Sequence, residues 1–150
     1  MTGGRGDGGA LLTPAPGESP IVVLVRPQMA QNIGTTARAM ANGGLFHLRI
    51  VAPRDGWPQP NAYAAASGAD AILDHAQVFP DIPSAIADCH RVLGTCPRPR
   101  HVIVPILDAR AAAAELRAIN ARTLRVAVLF GPERAGLESD DLAHCDTLVR

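Results

Sequence analysis

The sequence predicts an α/β fold: a mostly parallel sheet with helices on both faces. Three observations carry that expectation. Runs such as IVVLV (21–25) and RVAVLF (125–130) are apolar almost throughout rather than at alternate positions, as strands buried on both faces require. Between such runs lie segments with apolar residues at helical spacing, and strands alternating with helices build parallel sheets. Finally, 47% of the 150 residues are hydrophobic, enough for one domain with a real core.

Each element has its own signal. Residues 1–20 are rich in glycine and proline without apolar periodicity and are expected to be a disordered tail, in which the RGD tripeptide is read as chance. IVVLV (21–25) is the first strand by its β-branched content. Residues 33–43 form a helix with Ile33, Ala37, Met40 and Ala41 on one stripe, ended by Gly43-Gly44. HLRIVA (47–52) is the second strand, and PNAYAAASGA (60–69) a short alanine-rich helix. Another short helix is expected over 84–89, then RVLGT (91–95) as the third strand. The clearest helix is 108–121, with Asp108 as its N-cap. RVAVLF (125–130) is the fourth strand, 138–143 a short helix, and 146–149 the start of a further strand. The domain therefore spans 21–150.

Composition excludes several classes. Fourteen basic and fourteen acidic residues cancel, so net charge makes no case for nucleic-acid binding, although every basic residue is an arginine, the side chain suited to forked phosphate contacts. There is neither an apolar run long enough to span a bilayer nor a secretion signal. The three cysteines lack C-x-x-C spacing and read as reduced thiols of a cytoplasmic protein. No two of the five histidines stand at metal-ligand spacing, so no metal site is expected.

Ligands of parallel sheets bind beyond the carboxyl ends of the strands, which directs attention to the residues after Val25, Ala52, Leu93 and Phe130. Neither G-x-G-x-x-G nor the phosphate-binding G-x-x-x-x-G-K-[ST] occurs, which removes the main support for dinucleotide and NTPase readings. Three other stretches stand out. In QNIGTTARAMANGG (31–44), Asn32 is placed to cap the first helical turn, and Gly34 would leave space beside Arg38 one turn later. An isolated helix arginine more often snorkels to water, so Arg38 alone decides nothing. In LFGPERAGL (129–137), two glycines and a proline shape a tight loop around Glu133 and Arg134. GTCPRPRHVIVP (94–105) offers a rim at Thr95–Pro97 and two charges, Arg98 and Arg100, spaced for phosphates or simply solvated. Cys96 has no assignable histidine base and is not read as a nucleophile.

In this order and spacing the stretches resemble the SpoU (TrmH-like) RNA 2′-O-methyltransferases of the SPOUT superfamily. Asn32, Gly34 and Arg38 match the first motif, N-x-G-x-x-x-R, and FGPERAGL matches the second. Agreement extends through GTCPRPR, Pro105 and Leu107-Asp108, and so covers 21–150. The nearest branch methylates tRNA at the first residue of the anticodon loop. The resemblance implies an α/β-knot fold, S-adenosylmethionine as methyl donor, tRNA as substrate and a homodimer. It makes Arg38 catalytic, with Asn32 and Glu133 supporting it. Thr95, Cys96, Pro97 and Gly131 would line the donor pocket, largely through backbone groups, and Arg98 and Arg100 would contact RNA. The family's third motif would begin at Arg150, where the sequence stops, so a domain without its knot-forming segment is expected. A non-catalytic form that binds RNA or a partner, and relatives acting on ribosomal RNA or the tRNA wobble nucleotide, are the alternatives.

Overall fold

The computed structural model describes residues 19–99 and 103–150; the expected tail lies outside this range, apart from Glu18's neighbours Ser19 and Pro20. The elements are β1 (Ile21–Val25), α1 (Ala30–Asn42), β2 (Leu48–Val51), α2 (Pro60–Ala65), α3 (Asp70–Asp74), β3 (Gln77–Phe79), α4 (Ile82–Ala85), β4 (Arg91–Thr95), β5 (Ile106–Leu107), α5 (Ala109–Ala121), β6 (Val126–Phe130), α6 (Ser139–Leu142) and β7 (Thr147–Val149). Among the described residues, seven strands form one sheet in the order β3-β2-β1-β6-β4-β7-β5. Every pairing is parallel.

β1 is buried at all five positions because both its faces are covered. Ile21, Val23 and Val25 join a cluster with Ile82 and Ala85 of α4 and with Leu137 and Leu142. Val22 and Leu24 pack on the opposite side with Ile33, Ala37 and Met40 of α1 and with residues of α2 and α3. On a third patch, Ala112 of α5 meets Leu93 and Val126. This two-sided burial is why the strand sequences carry no polar alternation.

Strand order also locates the ligand edge. The chain runs outward from β1 through β2 to β3, then restarts beyond β1 with β4, and β6 later fills the gap between β1 and β4. Such a reversal opens a crevice at the carboxyl ends of the central strands. β7 lies between β4 and β5, bracketed by hydrogen bonds from Cys96 N to Val149 O (2.8 Å) and from Leu148 N to Pro105 O (2.9 Å).

Local readings fared unevenly. Asp108 caps α5 by accepting from Ala111 N at 2.8 Å. The helix expected over 60–69 stops at Ala65, because Ser67 and Gly68 take left-handed φ values of 48° and 93° and turn the chain into a separate helix, Asp70–Asp74. The helix expected over 84–89 is instead a single turn, Ile82–Ala85, capped by Asp81. The helix expected from 33 begins three residues earlier, at Ala30. Asn32 therefore lies inside the first turn and is not its cap; the N-cap is Met29, whose side chain makes no capping bond.

Gly34 has a different purpose from the one read off the sequence. It is buried, and a Cβ there would overlap the backbone carbonyl of Ala62 and the Ala65 methyl. α1 and α2 touch through this gap. Gly34→Ala is expected to force the helices apart and cost about 1–3 kcal/mol, read from the shift in a urea unfolding midpoint.

Candidate functional site

The two motif stretches meet at the carboxyl edge of β1 and β6. After Phe130 the chain turns back on itself so closely that a Cβ on Gly131 would strike the backbone of Gly136 and Leu137. Gly136, at φ 67°, closes the turn by donating its N–H to Pro132 O at 2.9 Å. Glu133, between them, reaches the segment ahead of α1. Its carboxylate accepts from Gln28 N (2.9 and 3.1 Å), Met29 N (2.7 Å) and Asn32 Nδ2 (3.1 Å). Met29 is the N-cap of α1 and Gln28 precedes it, so the carboxylate sits at the start of the helix, where an anion is favoured. Burial pushes the Glu133 carboxyl upward, but the Gln28, Met29 and Asn32 donors outweigh it and hold the group below its ordinary range. Glu133 is therefore an ionised anchor joining two loops.

Asn32 is the partner side chain in that anchor, and its own carbonyl accepts from the Thr36 hydroxyl at 2.7 Å. Arg38 is exposed. It lies six residues beyond Asn32, some 9 Å further along the helix and on another side of it. A cavity of about 530 Å³ runs between α1 and the sheet, with Asn32, Thr36 and Met40 on one wall and Leu24, Phe130, Gly131 and Glu133 on the other. Arg38 does not line it.

Thr95, Cys96 and Pro97 follow β4, which pairs with β6 through Gly94 and Leu129. The Thr95 hydroxyl donates to Leu129 O at 3.1 Å, so this rim sits beside the start of the Gly131 loop, though none of the three residues lines the cavity under α1. Cys96 is buried and its side chain belongs to the core. Gly94, one residue before the rim, has no room for a side chain because Cys145 Sγ lies 2.5 Å from where its Cβ would be. Burial pushes the Cys145 thiol up to about 12, so it stays protonated. Pro97 and Arg98 are exposed, and Arg100 falls outside the described residues.

The edge between these loops carries no charged side chain from Thr95–Pro97 or Gly131. The Thr95 hydroxyl is turned onto a carbonyl, the Cys96 thiol faces inward and Gly131 has no side chain. The Cys96 N–H is committed to Val149 O at 2.8 Å and Pro97 carries no N–H, so the rim offers an uncharged surface of small side chains. Among the described residues no group of histidine, cysteine or carboxylate side chains is arranged to hold a metal, and no helix is long and apolar enough to cross a membrane.

Sequence reasoning found the two motifs but missed what joins them. It gave Glu133 to Arg38, whereas the donors on Glu133 are Asn32 and two backbone amides. It also passed over Arg26, which holds Asp141 by a two-bonded fork, and Arg54, whose amide donates to Pro27 O at 3.1 Å. The only local signal for the Asp141 end was an acid at Glu138 with another three residues on, a capping-box spacing.

The chain is similar to known proteins both in sequence and in fold. The tRNA (cytidine/uridine/adenosine-2'-O-)-methyltransferase TrmJ of Pseudomonas aeruginosa (strain UCBPP-PA14) is 42% identical over 124 residues, 83% of this chain and 48% of that protein. The crystal structure of TrmJ from Z. mobilis ZM4 superposes with a TM-score of 0.82 at 51% identity, covering 88% of this chain and 58% of that one. The SpoU methyltransferase AviRb from Streptomyces viridochromogenes, solved with the cofactor AdoMet, shares the fold at 19% identity and a TM-score of 0.65, over 93% of this chain and 49% of its own. The chain spans about half the length of the curated relatives it matches. The model of the SpoU rRNA Methylase family matches residues 19–150, which takes in the parallel sheet and both motif loops, and the chain belongs to that family.

Proposed function

We propose that this chain is the catalytic and donor-binding part of an S-adenosylmethionine-dependent RNA 2′-O-ribose methyltransferase. It acts on tRNA at the first residue of the anticodon loop, in the cytoplasm and as a homodimer. The observation that carries the reading is the Glu133 anchor, which brings the Asn32–Arg38 helix and the Gly131 loop to one ligand edge. The TrmJ relatives, whose names state tRNA 2′-O-methylation, support the substrate.

When bound, the donor supplies an electrophilic methyl group. The protein's residues do the rest. Thr95–Pro97 and Gly131 hold the donor through backbone groups. Arg38, exposed and cationic, grips the phosphate beside the target ribose and stabilises the negative charge that grows on its 2′ oxygen as the hydroxyl proton passes to bulk water. Glu133 does not move a proton, because its oxygens are committed to the start of α1; it keeps the two loops in register.

Calorimetric titration with S-adenosylmethionine tests this. Weak but measurable binding is expected from the chain, reduced more than about tenfold by Gly131→Ala, whose methyl has no room in the folded-back loop. Absence of heat from the native chain would overturn the donor assignment. Arg98 and Arg100 are proposed to hold tRNA phosphates. Arg98→Ala is expected to weaken tRNA binding and lower the slope of log affinity against log salt by about one phosphate's worth, and an unchanged slope would return Arg98 to solvent.

A further inference from the structure

A second carboxylate clasp closes the same edge. Arg26 leaves β1 at φ 49°, a left-handed conformation that a residue with a side chain keeps only when its surroundings hold it there. Its N–H still extends the ladder to Val51 O at 2.7 Å. Its guanidinium grips Asp141 with both arms, Nη1 to Oδ1 at 3.0 Å and Nη2 to Oδ2 at 2.6 Å. Asp141 is buried, and Oδ2 also accepts from Glu138 N at 2.8 Å. Burial pushes the Asp141 carboxyl up, but the Arg26 fork and the Glu138 amide outweigh it and keep it below its ordinary range.

The clasp matters because of what lies between the two anchors. The loop after β6 is fixed near its start by Glu133 on Gln28, Met29 and Asn32, and at its end by Asp141 on Arg26. Both anchors attach to the connection between β1 and α1. Residues 134–138 are strung between them. α6, at four residues, is too short to hold a position by its own helical bonds. Leu137 and Leu142 pack it onto the core, and the fork ties its end to the exit of β1.

We infer that Arg26 and Asp141 are positioning residues for donor binding: the pair holds the 131–138 loop in the shape that receives S-adenosylmethionine. The inference rests on the donor assignment proposed above. It predicts that breaking the fork loosens this loop and weakens donor binding while leaving the sheet intact.

Asp141→Asn and Arg26→Gln test it on the chain itself, by amide hydrogen exchange and by calorimetric titration with S-adenosylmethionine. Exchange at Gly136 and Leu142, whose amides donate to Pro132 O and Glu138 O, is expected to quicken at least about tenfold, with Val23 and Leu129 in the central strands unchanged. Donor affinity should fall by about tenfold, and Arg26→Lys, which keeps the charge and loses the fork, should fall between. Glu115→Gln breaks a comparable pair with Arg91 on the far side of β4 (2.7 Å) and is expected to change neither reading. A faster-exchanging loop with native donor affinity would make the pair purely structural and overturn the inference. So would unchanged exchange, since Glu133 alone would then hold the loop. No donor heat from the native chain would overturn the donor assignment and this inference together, and is seen before any variant is compared.

Discussion

Asp88→Ala is expected to cost about 2–3 kcal/mol of stability, the range for losing charge-assisted hydrogen bonds to a buried cation whose carboxylate partner keeps 31% of its side chain exposed. Arg49 is 3% exposed on β2, an interior strand of the sheet. Its two terminal nitrogens grip the Asp88 carboxylate at 2.6 and 2.8 Å, Nη1 also donates to Ala85 O at 2.7 Å, and the guanidinium lies 5.6 Å from the Phe79 ring centre. Without Asp88 a cation would be left in the core with one carbonyl and a ring face. In a domain of this size such a loss lowers the melting temperature by roughly 10 °C, which calorimetric unfolding will show. The double variant Arg49→Met, Asp88→Leu is expected to recover most of the stability, because the penalty comes from the unpaired charge and not from the loss of an attraction.

The same pair sets a pH dependence. The Arg49 fork, against the opposing effect of burial, holds the Asp88 carboxyl below its ordinary range. A depressed carboxyl contributes stability above its unfolded-state value and loses it as pH falls through the folded one. The gap between native protein and Asp88→Ala should therefore stay constant from neutrality to about pH 4 and narrow below it. A gap that persisted at strongly acid pH would show that packing rather than charge carries the effect.

Arg38→Lys is expected to lower turnover by a factor on the order of 10²–10³ in the methyltransferase of which this chain is proposed to be part. Lysine keeps the charge but loses the planar fork that can hold a phosphate and a ribose oxygen together. Because Arg38 is exposed, its replacement should move unfolding by no more than about 0.5 kcal/mol, and donor affinity should hold. Single-turnover rates on tRNA beside a calorimetric donor titration separate these effects. Native turnover in the lysine variant would leave Arg38 a surface charge. Arg38 stands on another side of α1 from Asn32 and outside the cavity beneath that helix.

How far the sequence carried each of these conclusions depends on the distance over which the underlying forces act. Apolar runs, continuous in β1 and β6 and interrupted by polar residues in β2 and β4, marked these strands, because burial on both faces leaves its imprint on most residues of a strand. Asp108 was legible as a cap because its partner, Ala111 N, is three residues away. The three-residue β3 and two-residue β5 left no run to read; they exist because a longer neighbour offers them a ladder. The motif residues were recognisable by spacing, but their partners were not. Glu133 supplies the start of α1 with its acceptor from 101 to 105 residues away, and Arg26 meets Asp141 across 115. Gly34 looked like room for an arginine and is the contact point of two helices. Apolar periodicity and local caps were thus determined by the sequence itself, within a few residues of chain. Which carboxylate would meet which amide or guanidinium was decided only when β6 settled between β1 and β4 and brought the ends of distant segments side by side.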